Sequence, residues 1–104
     1  MFIEPTPQSR SRLKEVVTSI FFGAPDNFFQ PSNARPGEEV TLEGRMDQMR
    51  RGILYVFSAP RHQEAANQML VVLDEIYGKF RSGDVSGGRI QCHELRDLIT
   101  KAPR

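Results

Sequence analysis

Apolar and polar positions along this chain fall into segments of different period. Leu13, Val16, Val17, Ile20 and Phe21 recur at i, i+3, i+4, i+7 and i+8, while Arg10, Arg12, Lys14 and Glu15 fall largely on the other side. That spacing predicts an N-terminal helix with one apolar face. Thr6 before Pro7, or Ser9, can cap its start through a side-chain oxygen, and Gly23-Ala24-Pro25 ends it. From Glu39 to Glu43 the pattern alternates, with Val40 and Leu42 on one face, which predicts a half-exposed strand over about residues 39–45. Ile53 to Phe57 is apolar without a break, rich in β-branched and aromatic residues, and bounded by Gly52 and Pro60. It predicts a central strand over about 52–58, covered on both faces.

The longest periodic stretch places Ala65, Ala66, Met69, Leu70, Leu73, Ile76, Tyr77 and Phe80 on one face. It predicts a helix over about 60–81, with Pro60 at its first position, Gly78 a weak point within it, and Ser82-Gly83 as its stop. Arg89 to His93 alternates again, with Ile90 and Cys92 inward, a third strand over about 89–93. Leu95, Leu98 and Ile99 then mark a short C-terminal helix over about 94–101. The expected fold is α+β: the long helix packs on a short, mostly antiparallel sheet, with a helix at each end of the chain. All 104 residues form one domain, including an extended arm over 1–8, whose Phe2 and Ile3 can dock on the body or on a neighbour, and a Pro-rich loop over 24–38.

Composition narrows the function classes. Hydrophobic residues make up 38% and charged residues 26%, which places the chain among globular rather than disordered sequences. The net charge of +1 gives no global pull toward nucleic acid or an anionic membrane. The single cysteine, Cys92, implies a reducing, intracellular place of synthesis. The N-terminus has no basic region followed by an apolar run, so no signal peptide is expected, and no apolar run is long enough to span a bilayer.

Two segments invite a contact role. Phe28 and Phe29 stand in the Pro-rich loop, where they either tuck under it against the core or face a partner. Arg45, Arg50 and Arg51, with Met46 and Met49 between them, lie on the expected hairpin joining the first two strands. They read either as solvated surface charge or as a basic contact for an acidic subunit or a phosphate backbone.

Candidate chemistry is sparse. Gly83 to Glu94 has the outline of a calcium-binding loop, with Gly88, Ile90 and Glu94 at its sixth, eighth and twelfth positions. Gly83, Val85 and Gly87 stand where oxygen ligands are required, so no metal site is expected. Asp84 to Gly88 resembles a glycine-rich phosphate cradle, but following a helix and preceding a strand is the wrong order for one. His62, beside Ser58, lacks an acidic orienter, His93 flanks Cys92 without forming a pair, and Cys92 reads as a small buried hydrophobe. No cofactor and no catalytic set are expected.

Over residues 52–90 the chain resembles the small tail-terminator and neck proteins of long-tailed bacteriophages. Gly52, Ile53, Val56, Phe57, Pro60, Ala65, Ala66, Ile76, Phe80, Arg81 and Gly83 carry the likeness. In that pattern a glycine-led strand and a proline turn lead to a helix with early alanines and a late aliphatic-Phe, then a basic-Gly turn. The resemblance implies a non-enzymatic virion protein, made in the host cytoplasm, that forms a homo-oligomeric ring, usually a hexamer, at the head–tail junction. Its partners would be the tail tube or the head connector, through sheet edges, the basic hairpin and the Phe28-Phe29 loop. Such proteins carry one more long strand after the equivalent of residues 89–93, where this chain has a short helix. The alternative from the residues alone is a small cytoplasmic regulatory or nucleic-acid-binding module using Arg45, Arg50, Arg51 and Arg61.

Overall fold

A computed structural model describes residues 4–28, 30 and 39–103, and among these it is helical with no strand. Four α-helices follow in order: α1 Arg10–Gly23, α2 Leu42–Val56, α3 Gln63–Arg81 and α4 Val85–Lys101. A 3-10 turn, Pro60–His62, leads into α3. Each helix packs on its neighbours in chain order, and α1 closes the arrangement against α4, while α1 and α3, or α2 and α4, do not pack together. Partners along each seam run in opposite senses. Arg50 meets Asp74 and Glu43 meets Arg81 between α2 and α3, and Arg10 reaches Ile99 and Arg89 reaches Phe21 between α1 and α4. The bundle is therefore up-down-up-down.

The expected sheet is overturned. The strand at 39–45, the hairpin Gly44–Gly52 and the strand at 52–58 give way to one helix, α2, that begins at Leu42. Its apolar residues Leu42, Met46, Met49 and Ile53 are buried at i, i+4, i+7 and i+11, a helical stripe spread across all three segments. The uninterrupted run at 53–57 splits accordingly: Ile53 and Phe57 point inward, while Leu54 and Tyr55 are exposed. Thr41 caps the helix, its hydroxyl accepting from the Gly44 amide at 3.0 Å.

The third strand at 89–93 and the short helix at 94–101 likewise merge into α4. Gly88, Gln91, Cys92, Leu95 and Ile99 face inward at helical spacing, and Ile90, expected inside, is exposed. Asp84 caps this helix, its carboxylate accepting from the Gly87 amide at 2.9 Å. Gly88 in this segment serves packing. A Cβ on Gly88 would stand 2.8 Å from the Phe80 ring, so its absence lets α3 and α4 close on each other.

The N-terminal and the long helix lie close to their predicted bounds, the latter with its first three residues in the 3-10 turn. Ser9 caps α1 through the Arg12 amide, and the helix ends at Gly23. In α3 the buried residues are Ala66, Met69, Val72, Leu73, Ile76 and Phe80, and Gly83 closes the element at φ 91°. All four helices feed one apolar cluster.

The start of α2 is tied to the end of α3. Glu43 accepts from Arg81 Nε at 2.8 Å and from the Tyr77 hydroxyl at 3.0 Å, and Arg81 also reaches Asp26 at 3.7 Å. Burial alone would raise the Glu43 pKa, but the Arg81 hydrogen bond, its own backbone amide and Tyr77 outweigh it and hold the group below the ordinary value. A depressed folded-state pKa stabilises the fold above the unfolded carboxylate's pKa, and that contribution disappears as pH falls through the folded value. The melting-temperature gap between parent and Glu43→Gln should therefore be present at neutral pH, small because the pair is half exposed, and absent in acid. A gap that widens on acidification would contradict this assignment.

Candidate functional site

The residues expected to form a basic contact surface lie on one helix and face different ways. Met46 and Met49 are core residues, 4% and 0% exposed. Arg45 turns toward the N-terminal arm and pairs with Glu4 at 3.1 Å, a largely buried contact, and also donates to Gln48 at 2.8 Å. Arg51 pairs with Asp47 at 2.8 Å and donates to the Glu4 carbonyl and the Thr6 hydroxyl. Gln48 donates to the Pro5 carbonyl. Pro7 then lies against Gly52, where a Cβ would stand 3.0 Å from its ring. Arg50 pairs across to Asp74 of α3 at 3.1 Å. The hairpin is absent, and each of its arginines has an acidic partner within the same chain. Arg61 is exposed in the 3-10 turn.

Phe28 is buried, its ring against Gly23, where a Cβ would meet it at 2.5 Å. Phe29, like Phe2, Ile3 and residues 31–38 of the Pro-rich loop, lies outside the described residues.

The weak chemical candidates also find places. Gly88, Ile90 and Glu94 lie on one continuous helix, and no His, Cys, Asp and Glu group suited to a metal occurs among the described residues. Asp84 to Gly88 does precede a helix, contrary to the expected order, but the Asp84 carboxylate already occupies that helix pole. Cys92 is buried in the core, and that burial pushes its thiol up to about 12 against the opposing influence of Arg89, so it stays protonated at neutral pH. His62 is buried beside Phe57, and its Nε2 donates to the Pro103 carbonyl at 2.5 Å. Arg10 secures the same end of the chain, stacking on Phe57 and donating to the carbonyls of Ile99, Ala102 and Pro103. Among the described residues no helix is long and apolar enough to cross a membrane.

The surfaces that differ from the rest of the molecule flank α4. Between α3 and α4 runs a groove of about 630 Å³ whose lining includes Glu64, Glu75 and Glu94, with Val71, Val72 and Leu98, and no cation. Val71 is 61% exposed. Between α1 and α4 lies a smaller cleft, about 140 Å³, lined by Phe21, Phe22, His93 and Arg96 over Val17 and Cys92, with no carboxylate. Phe22 is 70% exposed, edge-on to Phe21, which in turn meets the His93 ring at 5.1 Å. Arg89 stacks over Phe21 and donates to its carbonyl at 3.1 Å. On α1, α2 and α3 many charges are paired internally: Arg12 with Glu15, Arg45 with Glu4, Arg50 with Asp74, Arg51 with Asp47, Arg81 with Glu43. Among the described residues no ion pair engages Glu64, Glu75, Glu94, Arg89 or Arg96.

Reasoning from sequence missed this pair of surfaces, although a signal was present. Phe22 and Val71 are large apolar residues standing off the inward stripe of their helices, the pattern expected of a side chain meant for something other than the core. Comparison with protein-family models, with curated proteins and with solved structures finds no match to this chain.

Proposed function

We propose that this chain is a non-enzymatic structural subunit that works by contact, assembling with copies of itself into a ring at the head–tail junction of a phage-like particle. The observation that carries the assembly reading is the pair of unlike surfaces on the two flanks of α4, one with carboxylates and no cation in its lining, the other with cations and no carboxylate, each including an exposed apolar residue. The particle setting rests on the sequence resemblance where it lies on α3 and its stop: Ala65, Ala66, Ile76, Phe80, Arg81 and Gly83. Gly52, Ile53, Val56 and Phe57 belong to α2 and its end, so sheet edges and a basic hairpin have no part in the mechanism. Helix faces take that role, with the tail tube or head connector as onward partners and the virion as the site of action.

Light scattering on the purified chain from micromolar to near-millimolar concentration, followed by imaging, tests the proposal. The expected result is a mass that rises to a fixed multiple of the monomer, closed rings in the images, and capping of tail tubes. A monomer at every concentration that caps nothing would reject it. The nucleic-acid reading predicts instead a mobility shift at low salt that weakens steeply with added salt. The internal pairing of Arg45, Arg50 and Arg51 argues against that outcome.

A further inference from the structure

We propose that the acidic groove between α3 and α4 is the receptor for a second copy of this chain, which enters it with the Phe22–Arg89–His93–Arg96 ridge of its own α1/α4 seam. The inference rests on the assembly reading above and names the surfaces that would build it.

Charge complementarity selects the occupant. The groove presents Glu64, Glu75 and Glu94 with no cation in its lining, and the ridge presents Arg89, Arg96 and His93 with no carboxylate in its cleft. Each surface also has an apolar part: the groove is lined by Val71, Val72 and Leu98, and the ridge exposes Phe22 at the edge of its own small cleft. An aromatic ring seated on aliphatic side chains, with cations meeting carboxylates around it, follows the usual order of an apolar interface centre and a polar rim. Glu75 is already held in place, since the buried Gln91 amide donates to it at 3.3 Å.

Placement on the helix decides the kind of assembly. At about 100° per residue, Arg89, His93 and Arg96 project to the α1 side of α4, whereas Glu94 and Leu98 project to the α3 side. Donor and receptor therefore lie on different faces of the bundle, one on either side of α4. In this arrangement the ridge and the groove of one copy are filled by different neighbours rather than by one two-fold partner. Each copy engages one neighbour through its ridge and another through its groove, a head-to-tail contact that propagates to a closed ring or a filament.

Two exposed charge-reversal variants test this: Glu64→Lys with Glu94→Lys on the groove, and Arg89→Glu with Arg96→Glu on the ridge. Circular dichroism first establishes that both keep the parent helix content. Each alone should weaken self-association by about tenfold or more, measured by sedimentation at low salt. Mixed in equal amounts they should reassemble, because the reversed groove of one now complements the reversed ridge of the other. Phe22→Ser should weaken association at low and high salt alike, since apolar contact is not screened as charge is. If the parent assembles and neither variant weakens it, or the mixture fails to reassemble, the groove–ridge contact is wrong while the assembly reading stands. If the parent never assembles, both fall together.

Discussion

Replacing Met49 by lysine should leave no cooperatively folded protein at 25 °C. Met49 is fully buried on the inner stripe of α2 with Leu42, Met46 and Ile53. An ammonium group brought there would have no carboxylate partner, and an uncompensated buried charge costs several kcal/mol. Total stability for a domain of this size is about 5–15 kcal/mol, so one such change removes a large part of it. Met49→Leu nearly conserves volume and should cost less than about 1.5 kcal/mol. Thermal melts followed by circular dichroism separate the two fold descriptions sharply. In the expected sheet, residue 49 sits on an exposed hairpin, where a lysine would shift stability by no more than about 0.5 kcal/mol. A Met49→Lys protein melting within a few degrees of the parent would reject the four-helix arrangement.

Phe80→Ala should cost about 3–5 kcal/mol, as full truncation of a core aromatic does. Its ring is 2% exposed and lies against Gly88, in the most extensive helix–helix seam of the bundle. The same geometry makes a second, sharper expectation. Gly88→Ala in the parent forces a methyl against the ring and should destabilise, despite alanine's better helix propensity. In the Phe80→Ala background that methyl enters vacated space, and the same substitution should become neutral or stabilising. Urea unfolding of the four proteins gives the coupling directly. Additive effects would mean that Phe80 and Gly88 do not share the seam as described.

The contrast between α1 and α3 on one side and α2 and α4 on the other shows what the sequence made legible. In α1 and α3 the inward stripe is dense and punctuated by Ser9, Gly23 and Gly83, so helical period and caps agree. In α2 a sparse stripe of four residues competes with the compact run from Ile53 to Phe57, and a short apolar run has no period of its own to declare helix or strand. In α4 the first turn contains Gly87 and Gly88, residues of low helix propensity, and only the approach of Phe80 explains why a glycine is needed there. The partners of the arginines were not legible either. Glu4 and Asp74 are distant from Arg45 and Arg50 in the chain and become neighbours only once helices, not strands, set the geometry. The flanks of α4 were half legible: Phe22 and Val71 stood off their stripes, but the opposite charges around them are brought together by the bundle alone.

The side chains of α2 that hold the arm have a consequence for how the chain presents itself to a protease. Residues 4–8 adopt neither helix nor strand, yet the carbonyls of Glu4 and Pro5 are occupied by Arg51 and Gln48, and Pro7 rests on Gly52. A cleaving enzyme must draw an extended segment into its own cleft and supply those backbone contacts itself. Here it would first have to win them from two side chains of a packed helix, so a segment that reads as a loose tail gains the resistance of the core it lies on.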